Sequence, residues 1–215
     1  MSRTKPYYKI VGIPSQLKSL VLNCGFKVSF KLSNVVKLGL NMKVKSKAFV
    51  KFVSELHSFI VNDPQFRKDT STKSESVIQG EIRPLIIRYL ENYFRDQGYT
   101  DYTGKANKSF YWEGQEGTYG KGRATTFASR NYPDFIIMKP YLVAIEYKQG
   151  KTGSLVKQAI GQSLMHTLSG DFDFVYVLFH DENKDKRIEK SVTSSTETKI
   201  LDKVWKDFNV FVKFT

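Results

Sequence analysis

The chain has 215 residues, of which 40% are hydrophobic, and these values favour a packed domain over an intrinsically disordered chain. No run of about 18 apolar residues is present, so we expect no membrane span. The first ten residues lack the apolar segment of a secretion signal, so we expect no signal peptide. A single cysteine, Cys24, excludes an intramolecular disulfide and a cysteine-based metal site. A reducing, cytoplasmic setting is therefore expected.

Positive charge is concentrated at the N-terminal end. The formal net charge is +13, and the first 54 residues hold eleven Lys and Arg and no Asp or Glu, which leaves only +2 for the remainder. A folded segment with one sign of charge repels itself unless a polyanion is near. A solvated basic face is the simpler alternative, and an anionic membrane is another, although no basic amphipathic helix fits it well. The charge favours nucleic acid, bound through release of counterions from phosphates.

Residues 26–45 alternate between apolar and polar side chains, and Asn34 interrupts the pattern. A period of two predicts strands, so we expect a β-hairpin with its apolar face on the core and its lysines outward. A helix-turn-helix within residues 14–42 is the competing interpretation. The lysines expected to contact nucleic acid from this hairpin are Lys27, Lys31, Lys37, Lys43 and Lys45.

Helical spacing follows the predicted hairpin. Apolar residues recur at that spacing in 47–61, with Ser46 as a possible cap and Asn62-Asp63-Pro64 as the end. A second, longer helix is predicted from a capping box at 72–75 to Gly98, with a kink or a break at Pro84. The polar stretch before the capping box predicts a basic N-terminal module over residues 1–70 and a second domain over residues 71–215.

Residues 99–132 are rich in Gly, Tyr and Thr, and only one short strand near 109–112 is predicted there. A long segment with little regular structure is often functional. Its basic residues, among them Lys121 and Arg123, are candidates for contacts with DNA, although an ordinary surface loop is an equal alternative. The remaining pattern predicts strands at 135–138, 142–147, 174–179 and 210–214, and helices at 153–168 and 197–207.

Two acidic residues and a lysine coincide in the first of these strand pairs. If Pro140 is the centre of a three-residue loop, Asp134 lies opposite Glu146, and opposed residues have Cβ atoms about 5 Å apart. Lys148 shares a face with Glu146, because the two are two residues apart on a strand. The neighbouring residues are apolar, which argues against a solvated surface hairpin. Two carboxylates at this separation suit Mg²⁺, which lowers the pKa of bound water and neutralises charge on a reacting phosphate.

The sequence Pro133-Asp134, eleven residues, and then Glu146-Tyr147-Lys148 resembles the PD-(D/E)xK nuclease superfamily. That superfamily includes restriction endonucleases, RecB-like exonucleases, Holliday-junction resolvases and transposon end-cleaving enzymes. The order of predicted elements from Thr72 to Thr215 also resembles its αβββαβ core. The resemblance therefore implies an α/β fold with a restriction-endonuclease-like core, preceded here by a small basic module of β-hairpin and helix.

The resemblance also implies roles for particular residues. Asp134, Glu146 and the backbone carbonyl of Tyr147 would bind Mg²⁺ or Mn²⁺, and Lys148 would be the catalytic lysine. An acid on the first core helix often completes such sites; Glu81 is the first choice and Glu75 the alternative. Gln158 and Gln162 resemble the glutamine found on the following helix of RecB-like members, with two surface amides as the alternative. His166 and His180 are expected to be structural or solvent-facing rather than ligands, and His57, in the helix predicted at 47–61, is expected to be a surface or half-buried histidine.

These observations lead us to expect a metal-dependent endodeoxyribonuclease of the restriction or defence type, acting on DNA as a homodimer. A Holliday-junction resolvase or a phage or transposon recombination nuclease is the alternative. A nucleic-acid-binding protein that does not cut, and a toxin that cleaves RNA, remain open. The sequence contains no recognisable motif that reads a 2′-hydroxyl.

Overall fold

The computed structural model describes residues 32–64, 66, 73–113, 124–126, 129–193 and 195–215. Of residues 32–46, 124–126, 129–131 and 195 it describes the backbone alone. These parts of the chain contain six helices and seven strands. The helices are α1 (Leu32–Val61), α2 (Glu75–Asp96), α3 (Tyr102–Lys108), α4 (Gly153–Leu168), α5 (Arg187–Ser191) and α6 (Ser195–Phe208). The strands are β1 (Phe110–Trp112), β2 (Ala124–Thr126), β3 (Ser129–Asn131), β4 (Phe135–Ile137), β5 (Val143–Gly150), β6 (Phe174–Asp181) and β7 (Val210–Phe214).

Five strands form a mixed sheet in the order β1-β4-β5-β6-β7. Strand β4 is antiparallel to both of its neighbours, β1 and β5, whereas β5, β6 and β7 are parallel to one another. Each parallel step is bridged by helices: α4 lies between β5 and β6 in the chain, and α5 and α6 lie between β6 and β7. A parallel pair requires such a crossover, because a short turn can join only antiparallel strands. The chain is therefore α/β, with helices flanking a central sheet.

The register of the β4–β5 pair is the one that the sequence predicts. Phe135 pairs with Ile145, and Ile137 pairs with Val143. Continuing this register by one step places Asp134 opposite Glu146. The prediction succeeds because both strands are apolar at every paired position, so only the loop length had to be chosen.

The sheet separates two apolar clusters. On one face, Ile145 and Tyr147 of β5 share a cluster with Phe49 of α1 and Ile86 of α2. The other face carries a smaller cluster, in which Ala144 of β5 lies with residues from α4 and β6. Since side chains alternate along a strand, Glu146 is on the face of Ala144, the one that α4 covers.

The predicted hairpin over residues 26–45 is wrong where the structure describes it. Residues 32–45 are helical and belong to α1, and residues 26–31 lie outside the described residues. Adding turns to an existing helix is easier than starting a new element, and no proline or strong turn residue separates 32–45 from the predicted helix at 47–61. The apolar residues of 32–45 also satisfy a helical spacing, in which residues 32, 36, 40 and 44 recur every four positions. Ser46 therefore lies inside α1 and does not cap the start of a helix.

Compact packing divides the chain between Lys43 and Val44. The second unit runs from Val44 to Thr215, and the first lies largely outside the described residues. Residues 47–61, which the sequence assigned to the N-terminal module, contribute Phe49, Leu56 and Ile60 to the larger core cluster. None of the described helices is both long enough and apolar enough to cross a membrane.

Pro84 neither splits nor ends α2, contrary to one prediction from the sequence. A proline in a helix removes a hydrogen bond to the carbonyl four residues earlier, here that of Gly80. Both residues are exposed, so water can hydrate that carbonyl. The predicted end of the helix is confirmed, because Gly98 adopts a φ of 81°. The sequence did not predict α3, α5, or the small β2–β3 hairpin.

Candidate active site

The candidate site lies where β4 begins beside the middle of β5. Asp134 comes immediately before β4, and its carbonyl accepts a hydrogen bond from the N–H of Glu113 at 3.0 Å. Its carboxylate accepts a second bond, from the N–H of Tyr147 to Oδ2 at 2.7 Å. The sheet thus holds both the backbone and the side chain of Asp134 against β5.

Asp134 and Glu146 repel one another. Burial, followed by the charge of Glu146, raises the pKa of Asp134 to about 8, although the hydrogen bond from Tyr147 lowers it; the charges of Glu75 and Glu113 add to the increase. A carboxyl group kept protonated by neighbouring acids gains most from a cation that binds between them. Among the described residues, no Lys or Arg forms an ion pair with Asp134 or Glu146, and the one basic group in contact with the pair is the imidazole of His166 on Glu146.

The carbonyl of Tyr147 points toward the same side. Within a β-strand, the N–H and C=O of one residue face the same neighbouring strand, as the paired bonds of an antiparallel ladder require. Because the N–H of Tyr147 reaches Asp134, its carbonyl oxygen faces that edge as well. The three oxygen donors predicted from the sequence, two carboxylates and one carbonyl, are thus on adjoining positions.

Glu146 has a partner that the sequence did not predict. His166 of α4 places Nε2 at 2.5 Å from Oε1 of Glu146, and both side chains are buried. This histidine was expected to be structural or solvent-facing, yet it contacts a proposed metal ligand directly. A sequence signal existed, since Gln158, Gln162 and His166 are each four residues apart and share one helix face.

Lys148 is held by an acid of α2. Its Nζ lies 3.1 Å from Oε1 of Glu75, and both side chains are half-buried. Glu81, the first choice from the sequence, pairs instead with Lys73 at 2.7 Å. The structure thus brings Glu75, rather than Glu81, to the lysine of the motif.

The two glutamines of α4 differ in their surroundings. Gln158 is exposed. Gln162 lies one turn before His166, and its buried Oε1 has no hydrogen-bond partner among the described residues. An unpaired buried acceptor is uncommon in folded proteins, so Gln162 is the member of the pair that could serve a ligand.

His57 lies on α1, and His180 lies on β6, where it pairs with Gln149 of β5. His57 Nδ1 is 3.0 Å from the hydroxyl of Tyr176, and burial lowers the pKa of both histidines to about 4. Both are therefore neutral at physiological pH, as expected of structural histidines.

The donor set fits Mg²⁺ better than a metal held by side chains alone. Within the described residues, no group of three or more His, Cys, Asp or Glu side chains is arranged to hold a metal ion. Mg²⁺ needs no such cage, because it usually binds one or two carboxylates and keeps several water molecules. Asp134, Glu146 and the carbonyl of Tyr147 would supply such a partial shell.

The residues predicted to contact nucleic acid are mostly beyond structural description. Lys27, Lys31, Lys121 and Arg123 lie outside the described residues. Lys37, Lys43 and Lys45 are on α1, with the backbone alone described, so they do not form the strand face that the sequence predicts.

In comparisons with known proteins, no protein-family model matches the chain, and no curated protein and no solved structure is detectably similar to it.

Proposed function

We propose that this protein is a metal-dependent nuclease that hydrolyses phosphodiester bonds of DNA. The observation that carries the proposal is the meeting of Asp134, Glu146 and Lys148 at one place on the sheet, with Glu75 on the lysine and His166 on the glutamate. Acids this close to one another destabilise a fold unless they serve a ligand. A divalent cation is the ligand that their charge and geometry favour.

The order of the elements supports the same proposal. Helix α2 is followed by the antiparallel strands β1, β4 and β5, then by α4 and the parallel strand β6. This order agrees with the αβββαβ core of the superfamily that the motif resembles. In this arrangement Asp134 immediately precedes β4, and Glu146 lies on the neighbouring strand β5. Lys148 follows Glu146 by two residues on β5, as the motif requires.

Each residue has a distinct part in the proposed reaction. Asp134, Glu146 and the Tyr147 carbonyl would hold Mg²⁺ or Mn²⁺, which when bound supplies an activated water and neutralises charge on the phosphate. Lys148 would stabilise the negative charge that develops on the attacked phosphate. Glu75 orients the ammonium group of Lys148. His166 holds one oxygen of Glu146, so that the other oxygen is left for the metal.

DNA is the favoured substrate because of the +11 charge carried by the first 54 residues. Within this class we favour an endonuclease of the restriction or defence type that acts as a homodimer, since cutting two strands needs two sites. A junction resolvase is distinguished from it by substrate preference alone.

Cleavage assays test the proposal directly. Purified protein is incubated with supercoiled plasmid, a four-way DNA junction and RNA, with Mg²⁺ or with a chelator. We expect metal-dependent cutting of DNA, no cutting by Asp134→Ala, and a loss of about 10²–10³-fold in rate for Lys148→Ala, as when one stabiliser of developing charge is removed.

Asp202→Ala is the matched control, because Asp202 is an exposed acid on α6 and its removal leaves the proposed site intact. Full activity of Asp134→Ala would refute the proposed metal site. Cutting of RNA alone would move the assignment to a ribonuclease.

A further inference from the structure

A cavity of about 210 Å³ adjoins the candidate site. Its walls come from α2, from the end of β1 and from the start of β4. The lining residues that matter here are Gln79, Gly80, Arg83, Trp112, Glu113 and Asp134. Asp134 therefore belongs both to the proposed metal site and to this cavity.

Arg83 is the basic group of the cavity. Its guanidinium carbon lies 4.7 Å from the centre of the Trp112 ring, and its side chain is half-buried. No acid pairs with Arg83 among the described residues, whereas Arg88 on the same helix is 3.7 Å from Asp63. Stacking on an aromatic ring holds a guanidinium in place and leaves its N–H edge open to an anion.

The cavity lining carries charge of both signs: one basic side chain, Arg83, and two acidic ones, Asp134 and Glu113. Gly80 of α2 also lines the cavity and leaves space, because no atom of the described residues lies within 4 Å of the position that a Cβ would take. A free anion gains little from such a cavity, since ionised acids in the lining repel it. A strand of phosphates bound together with a cation satisfies both the arginine and the acids.

We propose that this cavity binds the phosphate next to the one that is cleaved, with Arg83 as its ligand and Trp112 as the support of the guanidinium. The inference rests on the proposed nuclease function and identifies a substrate-binding residue outside the motif. The volume agrees with part of a polymer, because pockets that enclose whole small molecules are usually larger, at roughly 300–1,000 Å³. An arginine fork also suits the two free oxygens of a phosphodiester.

Binding measurements with modified DNA test the inference. Fluorescence anisotropy measures the affinity of the full chain for a short duplex in Ca²⁺, with unmodified DNA and with single neutral methylphosphonate substitutions along one strand. Arg83→Gln should weaken binding to unmodified DNA about tenfold and reduce the salt slope by about one. For the unaltered protein, a methylphosphonate at one position should weaken binding by the same factor as Arg83→Gln does. In the Arg83→Gln variant, the same methylphosphonate should cause no further loss of affinity.

Arg88→Gln is the matched control, because Arg88 is an exposed arginine of the same helix that lies outside the cavity. Equal binding by Arg83→Gln and the unaltered protein would overturn the inference. The inference would also be overturned if, at every position, the methylphosphonate weakened binding of Arg83→Gln by the same factor as it weakens binding of the unaltered protein. Cleavage of DNA by the unaltered protein together with either of these results would leave the proposed nuclease standing, whereas absence of cleavage and of binding would remove both.

Discussion

Asp134 and Asp181 lie at the ends of strands in the same sheet, and the protein treats their carboxylates in opposite ways. Asp181 is fully buried at the end of β6, yet it accepts hydrogen bonds from the N–H groups of Asn183, Ile188 and Glu189 and from the Asn183 side chain. Asp134 is only half-buried, and among the described residues its carboxylate accepts one N–H.

The pKa values of the two carboxyl groups follow from these partners. Burial raises the pKa of Asp181, but the N–H donors outweigh it and bring the pKa below its ordinary value. At Asp134, burial and the nearby Glu146 dominate, and the pKa rises to about 8. The hydrogen-bond donors and charges around each carboxylate therefore decide whether the effect of burial on the pKa is reversed, as at Asp181, or reinforced, as at Asp134. A satisfied acid such as Asp181 closes a loop and begins α5, whereas an unsatisfied acid such as Asp134 is available to a ligand.

Replacing His166, the partner of Glu146, tests this comparison and has the largest expected effect. His166→Leu removes the contact with Glu146, and should raise the Mg²⁺ concentration needed for cleavage by about 10–100-fold, as loss of an outer-shell partner does. His166→Gln can still hydrogen-bond from a similar position and should recover much of that loss. The measurement is the cleavage rate as a function of Mg²⁺, with Mn²⁺ titration as a readout that is independent of activity.

Thermal unfolding of both His166 variants provides the control for folding. An unchanged metal dependence in a folded His166→Leu protein would show that this histidine is only a packing residue.

The structural role of Asp181 is tested by measuring the stability of a variant. Asp181→Asn replaces one acceptor oxygen with an amide that faces N–H donors, and should destabilise the fold by about 1–3 kcal/mol. In a protein of this size that lowers the melting temperature by roughly 2–4 °C per kcal/mol. At low temperature the folded variant should cut DNA at the unaltered rate. A stable variant with lost activity would contradict the contrast between the two acids.

The last test of the comparison concerns pH. Between the ordinary pKa of an aspartate, 3.8, and the value of about 8 in the fold, native Asp134 retains a proton that the unfolded chain has released. Metal-free protein should therefore lose stability as pH rises through this window. Asp181 has the opposite sign: its depressed pKa stabilises the fold above the ordinary value, and that contribution is lost as pH falls through the lower value.

Melting temperatures in a chelator, followed across pH, measure this difference. Asp134→Asn should flatten the decline toward pH 8, and Mg²⁺ should offset it in the unaltered protein. A decline that persists unchanged in Asp134→Asn would assign the titration to another group.

The sequence alone sufficed for the elements with strong local signals. The register of β4 and β5 followed from loop length and from apolar strands on both sides of Pro140. The bounds of α4 and β7 followed from periodicity, because each element has one period and clear ends. Local pattern was therefore enough to locate the two acids and the lysine of that hairpin.

Other features depended on contacts between distant parts of the chain. Residues 32–45 alternate like a strand but continue a helix, since alternation over a short stretch also leaves apolar residues at helical spacing. Glu75 and Glu81 are about 120° apart around the helix axis, and only the packing of α2 against the sheet decides which of them meets Lys148. Local pattern determines which residues lie on a face. The tertiary structure alone determines which faces meet, and so brings His166 to Glu146 and Arg83 to Trp112.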